Sequence, residues 1–363
     1  MQPLFVHLAP TDHPRWWPGP AEDQWITTRA NLSTPTGRQQ LHQFLTRCDG
    51  LTCLGENDAH WLRQLTPPLP CPLWLPPSAA LIFLESKTRQ AELAKECGFS
   101  LLPTHHADLH HCPTIPPEQF PLVARPDGSG TTKPNFKVHI LATPQELTRW
   151  LKGFSAIHRP LMLQPLIHGP NLVIHAAADA QGHPLALQGF RVRRKFEGVT
   201  LTLEPMPLDP ALAQACRLFC QRAGLHGCLH FELIQDEHRN TPWFLEVNGR
   251  LGGTTGKAYA AGFDEPRLLL VAHGALPAAP LPPLPEDRVI TNRLALGKLL
   301  LQMARRAPGL QGDPSGLPRR WKDLLPGMWL WKDEIFQWSD PATTLWYYGT
   351  WLRERLTRGV HPT

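Results

Sequence analysis

The sequence predicts a mixed α/β protein built from more than one packed unit. Three observations carry that expectation. Short apolar strand patterns recur between helical ones along most of the 363 residues. The helical stretches carry start and stop residues at their ends. Two strand patterns, "CLHFELI" and "WFLEV", flank the polar turn "QDEHRN" and read as a hairpin. Composition agrees, since 42% apolar and 18% charged residues are globular values that exclude wholesale disorder. No apolar run reaches the roughly 18 residues of a membrane span, and "MQPLFVHLAP" has neither a basic start nor a small-residue cleavage site. Eight cysteines without a tight repeat fit reduced thiols in a cytoplasmic protein. A net charge of +5 suits anionic small molecules, and no basic block points to nucleic acid or a membrane surface.

The elements follow in order. Residues 1–80 read as a small α/β unit, with "PLFVHL" as a strand, "TGRQQLHQFLTRC" as a helix and "GLTCLG" as another short strand. Leu41, Phe44 and Leu45 share one helix face, and the proline-rich "LTPPLPCPLWLPPSAA" closes the unit. Residues 81–119 hold the helix "SKTRQAELAKECG", with Ser86 as N-cap and Gly98 as its stop, then an irregular loop, "HHADLHHCPTIPP". Lys87 in the first turn opposes the helix dipole, which favours an anion there. Residues 120–166 give strand, glycine-rich turn and strand in "FPLVARPDGSGTTKPNFKVHIL", then the helix "TPQELTRWLKGF" and the strand "PLMLQPLI". Residues 167–285 begin with two strands turning at Gln181-Gly182 and a helix capped by Asp209 with Pro210 at its first position and Gly224 at its end. The hairpin follows. From 286 to 363 the chain is rich in Trp and Arg and reads as two or three helices.

The hairpin carries the chemistry. Alternation places Cys228, His230 and Glu232 on one face of its first strand, and Phe244, Glu246 and Asn248 on one face of its second. Strands about 4.8 Å apart bring Glu232 and Glu246 within reach of each other, and facing like charges are destabilising. A divalent cation removes that repulsion. Two carboxylates and an amide, completed by phosphate and water, suit Mg²⁺. The bland alternative is a pair of solvated acids at a strand end, but Arg250 and Gly252-Gly253 follow too closely for that reading to hold.

The stretch "FELIQDEHRNTPWFLEVNGRLGG" resembles the C-terminal signature of the ATP-grasp superfamily, and its Leu-Gly-Gly tail is most similar to ATP-dependent carboxylate–amine ligases. The resemblance spans roughly Leu81 to Gly274. It implies an ATP-grasp fold with a pre-ATP-grasp domain at 1–80, a connecting helix and loop at 81–119, a lid subdomain at 120–166, a core at 167–285 and an appended segment at 286–363. It implies ATP and Mg²⁺, two ions with Mn²⁺ able to substitute, held by Glu232, Glu246 and Asn248. Lys87 and Arg125 would grip phosphate, with Arg125 standing where most members have Lys. Gly128, Ser129 and Gly130 would form the lid loop, capping phosphate oxygens with backbone N–H groups. Gln164, Pro165, Leu166 and Ile167 would frame adenine, and Asn171 lies where many members place an acid for the ribose. Arg250 would stabilise the acyl phosphate and the developing oxyanion. Arg191, Arg193, Gly252 and Gly253 would border the substrates, a small-molecule carboxylate and an amine; a homodimer is left open. The expected reaction is ADP-forming amide or peptide synthesis. An ester, thioester or carbamoyl product, or a non-catalytic nucleotide-binding module, are the rival readings.

Two further signals weigh less. "HHADLHHC", from His105 to Cys112, has the residue types of a zinc site but falls in a linker. Cys216 and Cys220 lie at i, i+4 on an amphipathic helix, where core packing is the expected role.

Overall fold

The computed structural model describes residues 34–46, 48–64, 68–196, 199–285, 288–304 and 324–336, with short pieces at 5–8, 25–28, 341, 344–349 and 353. At the N-terminus β1 (Phe5–Leu8) and β2 (Trp25–Thr28) pair in parallel. Three helices follow, α1 (Pro35–Leu45), α2 (Glu56–Gln64) and α3 (Ser78–Leu84). Leu41 and Leu45 of α1 are buried with Leu51, Leu62, Leu75 and Leu81 in a core of their own. "GLTCLG" does not extend into a strand. It makes a single bridge, Leu51 to Leu73, because the partner segment carries prolines at 70, 72, 76 and 77 that cannot donate to a longer ladder.

Next come α4 (Lys87–Glu96), β3 (Ser100–Leu101) and β4 (His105–Ala107). Ser86 caps α4 as expected, its hydroxyl accepting from the Arg89 N–H at 3.3 Å. The histidine-rich loop, however, begins as a strand: β4 pairs with a later segment of the lid, and Ala107 is buried there.

The lid unit contains β5 (Leu122–Arg125), β6 (Thr132–Lys133), β7 (His139–Leu141), α5 (Pro144–Leu151), β8 (Ala156–Ile157) and β9 (Leu161–Pro165). Its four-stranded antiparallel sheet runs β4-β9-β5-β7, with β6 and β8 paired separately. Leu147 and Leu151 of α5 pack on that sheet with Leu122, Ala124 and Leu163.

The core unit holds β10 (Asn171–Ala178), β11 (Pro184–Phe196), β12 (Val199–Met206), α6 (Pro210–Arg222), β13 (Gly227–Asp236), β14 (Thr241–Asn248), α7 (Thr255–Ala261) and α8 (Glu265–Ala272). The C-terminal segment adds β15 (Ile290–Thr291), α9 (Arg293–Ala304) and β16 (Lys332–Asp333). The resulting eight-stranded sheet has the order β16-β15-β12-β11-β10-β13-β14-β3. Residues 286–363 therefore contribute strands to the core as well as helix. Trp331 packs beside α9 and Trp329 is exposed, while Trp338 and Trp351 lie outside the described residues.

Two layers cover the sheet. On one face Phe99, Phe231 and Phe244 meet Ala94 of α4 and Phe219, Cys216 and Cys220 of α6. Both cysteines are fully buried, and burial pushes their thiols up, Cys220 to about 12. On the other face Val173, Phe190 and Cys228 meet α7 and α8. Among the described residues no helix is long and apolar enough to cross a membrane.

Candidate active site

The site grows from the β13–β14 hairpin. Glu232 and Glu246 are direct partners across the two strands, as the alternation requires, and His230 faces Asn248. One expectation fails here. Phe244 does not share a face with Glu246, because the register shifts between Glu232 and Leu233 and Leu245 becomes the extra residue of a bulge. The bulge lets Phe244 turn into the aromatic core, 5.2 Å from Phe99 and 5.9 Å from Phe219, while Glu246 and Asn248 keep the opposite face.

The cations come from two other elements and converge on one oxygen. Lys87 Nζ lies 3.0 Å and Arg125 Nη2 3.2 Å from Glu246 Oε2. Arg125 is buried at the end of β5 and also donates to the Leu245 carbonyl at 3.4 Å, the group that the bulge displaces. Lys87 is placed by α4, which Gln90 fastens to β14. The Val247 N–H donates to Gln90 Oε1 at 2.6 Å, and Gln90 Nε2 donates to the Leu84 carbonyl at 2.7 Å. The helix N-terminus, expected to attract an anion, receives one from the chain itself. Asp127 accepts from the Thr88 N–H at 2.8 Å and from Ser86 Oγ at 3.2 Å. This contact joins the lid loop to α4, and the sequence reading missed it.

Glu232 has a different environment. Asn248 Nδ2 donates to its Oε1 at 3.2 Å, and His230 Nε2 lies 3.6 Å from the same atom. Burial acts to raise its pKa, but the hydrogen bond and charge of His230, with the charges of Lys195 and Arg125, outweigh it and hold the carboxyl at about 2. His230 is thus a site residue that the hairpin pattern placed on the right face without assigning it a role. Behind it, His175 stacks at 5.7 Å. The His175 ring is fully buried, bonded through Nδ1 to Glu265 Oε1 at 2.7 Å and through Nε2 to Thr254 Oγ1 at 3.0 Å. Glu265 is also fully buried; burial raises its pKa, yet the His175 contact wins and keeps it ionised. Gly252 lies against this row, and a Cβ there would fall 2.4 Å from His230 Cε1.

The other expected positions are more scattered. Gly128 is buried in the lid loop, where a Cβ would meet the Glu85 carbonyl at 2.3 Å, whereas Ser129 and Gly130 are exposed and Gly130 has φ +68°. Gln164 lies one residue before the end of β9, at Pro165, with its side-chain amide donating to Thr104 at 3.0 Å. The Leu166 N–H is already given to the Pro121 carbonyl at 3.0 Å; Ile167 follows it. Asn171 opens β10 and donates to the Leu233 carbonyl at 3.4 Å. Arg191 is exposed on β11, and Arg193 is paired with Glu204. Two register shifts around Arg194 break the regular ladder there, and it is Lys195 whose charge reaches Glu232. Arg250 donates to the Leu251 carbonyl at 3.2 Å, and its charge reaches Cys53 of the N-terminal unit. Gly253 has open space around it. In the histidine-rich stretch, His105 is engaged with Gln119 at 2.9 Å, and Asp108 accepts the His110 and His111 N–H groups.

A second missed contact ties the C-terminal segment to this region. Lys257 of α7 is buried, and its Nζ lies 2.9 Å from both carboxylate oxygens of Glu334, which Asn292 also contacts at 2.7 Å.

The donor set of Glu232, Glu246 and Asn248 fits a hard divalent cation, being two carboxylates and an amide. Among the described residues no cluster of three or more His, Cys, Asp or Glu is arranged to hold a metal. A two-carboxylate set suits an ion that completes its shell with phosphate and water.

No known sequence family and no curated protein matches the chain. Solved structures do. The biotin carboxylase domain of the Hydrogenobacter thermophilus 2-oxoglutarate carboxylase, in complex with MgADP, ADP and bicarbonate, is similar at TM-score 0.56 and 15% identity over 74% of this chain and 64% of that one. The ADP complex of an N5-carboxyaminoimidazole ribonucleotide synthetase is similar at TM-score 0.55 and 13% identity, over 79% and 74% of the two chains. The Aspergillus clavatus N5-carboxyaminoimidazole synthase, with ADP and 5-aminoimidazole ribonucleotide, is similar at TM-score 0.51 and 14% identity, over 71% and 67%. The chain thus spans about 64% of the length of the biotin carboxylase domain. At these identities the likeness is one of fold. The fold of this chain is the ATP-grasp fold.

Proposed function

We propose that the chain is an ATP- and Mg²⁺-dependent ligase that activates a carboxylate as an acyl phosphate and joins it to an amine. One observation carries the reading: Lys87 and Arg125, from separate elements, converge on Glu246 directly opposite Glu232. Such a meeting of two cations and two carboxylates at a sheet end serves triphosphate and metal together. The solved structures with ADP support the nucleotide assignment.

In this reading Lys87 and Arg125 would hold phosphate oxygens. The backbone of Gly128 to Gly130 closes over the phosphates, and Gln164 to Ile167 with Asn171 border the nucleoside. Glu232, Glu246 and Asn248 would hold Mg²⁺, which when bound neutralises the phosphate oxygens during transfer. Arg250 stabilises the negative charge that grows as the amine attacks. Positioning supplies most of the rate, and no protein nucleophile is required. Gly252, Gly253, Arg191 and Lys195 border the substrate side.

A carbamoyl- or carboxylate-forming variant is the second reading, favoured by the bicarbonate in the biotin carboxylase complex. The test covers both. Carboxylates, bicarbonate included, are screened with amines for release of ADP and phosphate, with products identified by mass spectrometry. A carboxylate labelled with heavy oxygen should pass one labelled atom to phosphate. Label in AMP with release of pyrophosphate would overturn the mechanism, and a screen showing nucleotide binding without turnover would favour a non-catalytic module.

A further inference from the structure

Glu246 is asked to do two things that exclude each other. Its Oε2 is the single atom on which Lys87, at 3.0 Å, and Arg125, at 3.2 Å, both converge. These are the cations assigned to phosphate, and Glu246 is itself assigned to the metal. A nucleotide phosphate that takes Lys87 and Arg125 must take them from Glu246. A free nucleotide would then leave the Glu246 carboxylate without its two cations. Leaving a partly buried carboxylate uncompensated is costly. A metal ion arriving alone meets the converse difficulty, because Glu246 is already neutralised by two cations whose charge repels it.

From this geometry we propose that Glu246 is a specificity-determining residue: its carboxylate stands in for phosphate and makes the site select the divalent-metal complex of a nucleotide over the free nucleotide. The inference rests on the nucleotide reading above. When metal and nucleotide enter together, phosphate takes over Lys87 and Arg125 while the metal takes over Glu246, so no charge is left without a partner. Each ligand alone must break the Lys87–Glu246–Arg125 arrangement without replacing it. The two ligands are therefore coupled, and the coupling is reciprocal. Glu232 enters this exclusion less directly, since its contacts are to Asn248 and His230 and not to Lys87, although it faces Glu246 across the hairpin.

The experiment is calorimetric titration of the full chain with ADP, in EDTA and in Mg²⁺, with correction for Mg²⁺–ADP association in solution. Wild type should bind ADP more tightly with Mg²⁺ than without it. Glu246→Gln should bind metal-free ADP about tenfold or more tighter than wild type does, the scale of one charge-assisted bond, and should lose the Mg²⁺ enhancement. Glu232→Gln should lose the enhancement with a clearly smaller gain in metal-free affinity than Glu246→Gln shows. General relief of negative charge predicts instead that both variants gain metal-free affinity equally, and that result would overturn the proposal. So would a Glu246→Gln variant with no gain. Should that variant fail to fold, wild type still decides: Mn²⁺ binding followed by electron paramagnetic resonance should be weak alone and strengthened by ADP, and equal binding in both conditions would refute the coupling. Absence of any ADP binding, even with Mg²⁺, would remove the nucleotide reading itself and the inference with it.

Discussion

Glu232 and Glu246 face each other across β13 and β14, yet their carboxylates serve different partners. Glu246 is bound by Lys87 and Arg125, and Glu232 by Asn248 and His230. The sequence alone predicts that Glu246→Gln leaves stability unchanged or raises it, because facing like charges repel. The structure reverses that sign. With Lys87 and Arg125 losing a shared counter-charge in a largely buried setting, the variant should be less stable by about 1–3 kcal/mol. Urea unfolding in metal-free, nucleotide-free buffer measures it, and a variant as stable as wild type would show that the ion contacts contribute nothing. ATP turnover should fall to background in the same variant.

Lys87→Ala and Arg125→Ala should each weaken binding of a non-hydrolysable ATP analogue with Mg²⁺ by about 1.5–3 kcal/mol, the worth of a charged hydrogen bond. Because both side chains meet at one oxygen of Glu246, their effects on stability should not add in a double-mutant cycle. Unchanged nucleotide affinity in both single variants would mean that phosphate binds elsewhere.

What the sequence shows of this site follows from locality. Glu232, Glu246 and Asn248 are legible because a hairpin with period-two alternation maps positions to faces directly. Ser86 and Asp209 are legible as caps because capping acts within three residues. The bulge at Leu245 has no glycine to mark it, and it is set by the room that Phe99 and Phe219 leave for Phe244. The Asp127 contact to α4 spans about forty residues, and the Lys257–Glu334 pair nearly eighty, so neither leaves a local trace. Lys195 was readable as part of a basic run, but only the register shifts in β11 decide which of its members approaches Glu232.

A pH dependence should arise far from the carboxylates, at His273. Burial, then the charges of His226 and Arg63, hold its pKa down at about 4. Its ring packs 3.9 Å from His226 and stacks at 6.5 Å on Trp74 of the N-terminal unit. The folded chain keeps this histidine neutral, while the unfolded chain protonates it near the usual value of about 6.5. The unfolded state therefore binds more protons, and this contribution to stability is full above about pH 6.5 and is lost as pH falls towards 4. Urea midpoints for wild type and His273→Phe at pH 7.5, 6 and 5 should converge on acidification. Parallel midpoints across that range would take His273 out of the account.

The two adjacent glycines should behave differently. A Cβ at Gly252 would lie 2.4 Å from His230 Cε1 and 3.0 Å from its Nδ1, whereas a Cβ at Gly253 meets nothing within 4 Å. The His230 ring has little freedom to retreat, since His175 stacks behind it at 5.7 Å and is itself fixed by Glu265 at 2.7 Å. The loop cannot easily lift either, because Thr254, two residues on, bonds His175 at 3.0 Å, and the Gly252 N–H donates to Thr255 at 2.9 Å. Gly252→Ala should therefore cost about 1–3 kcal/mol by overpacking and drive His230 against Glu232. Mg²⁺-dependent ADP affinity should fall in that variant, with metal-free affinity preserved because Lys87 and Arg125 are untouched. Gly253→Ala should match wild type in both measurements. Equal behaviour of the two variants in urea unfolding and calorimetry would show that the loop yields and that Gly252 does not set the position of His230.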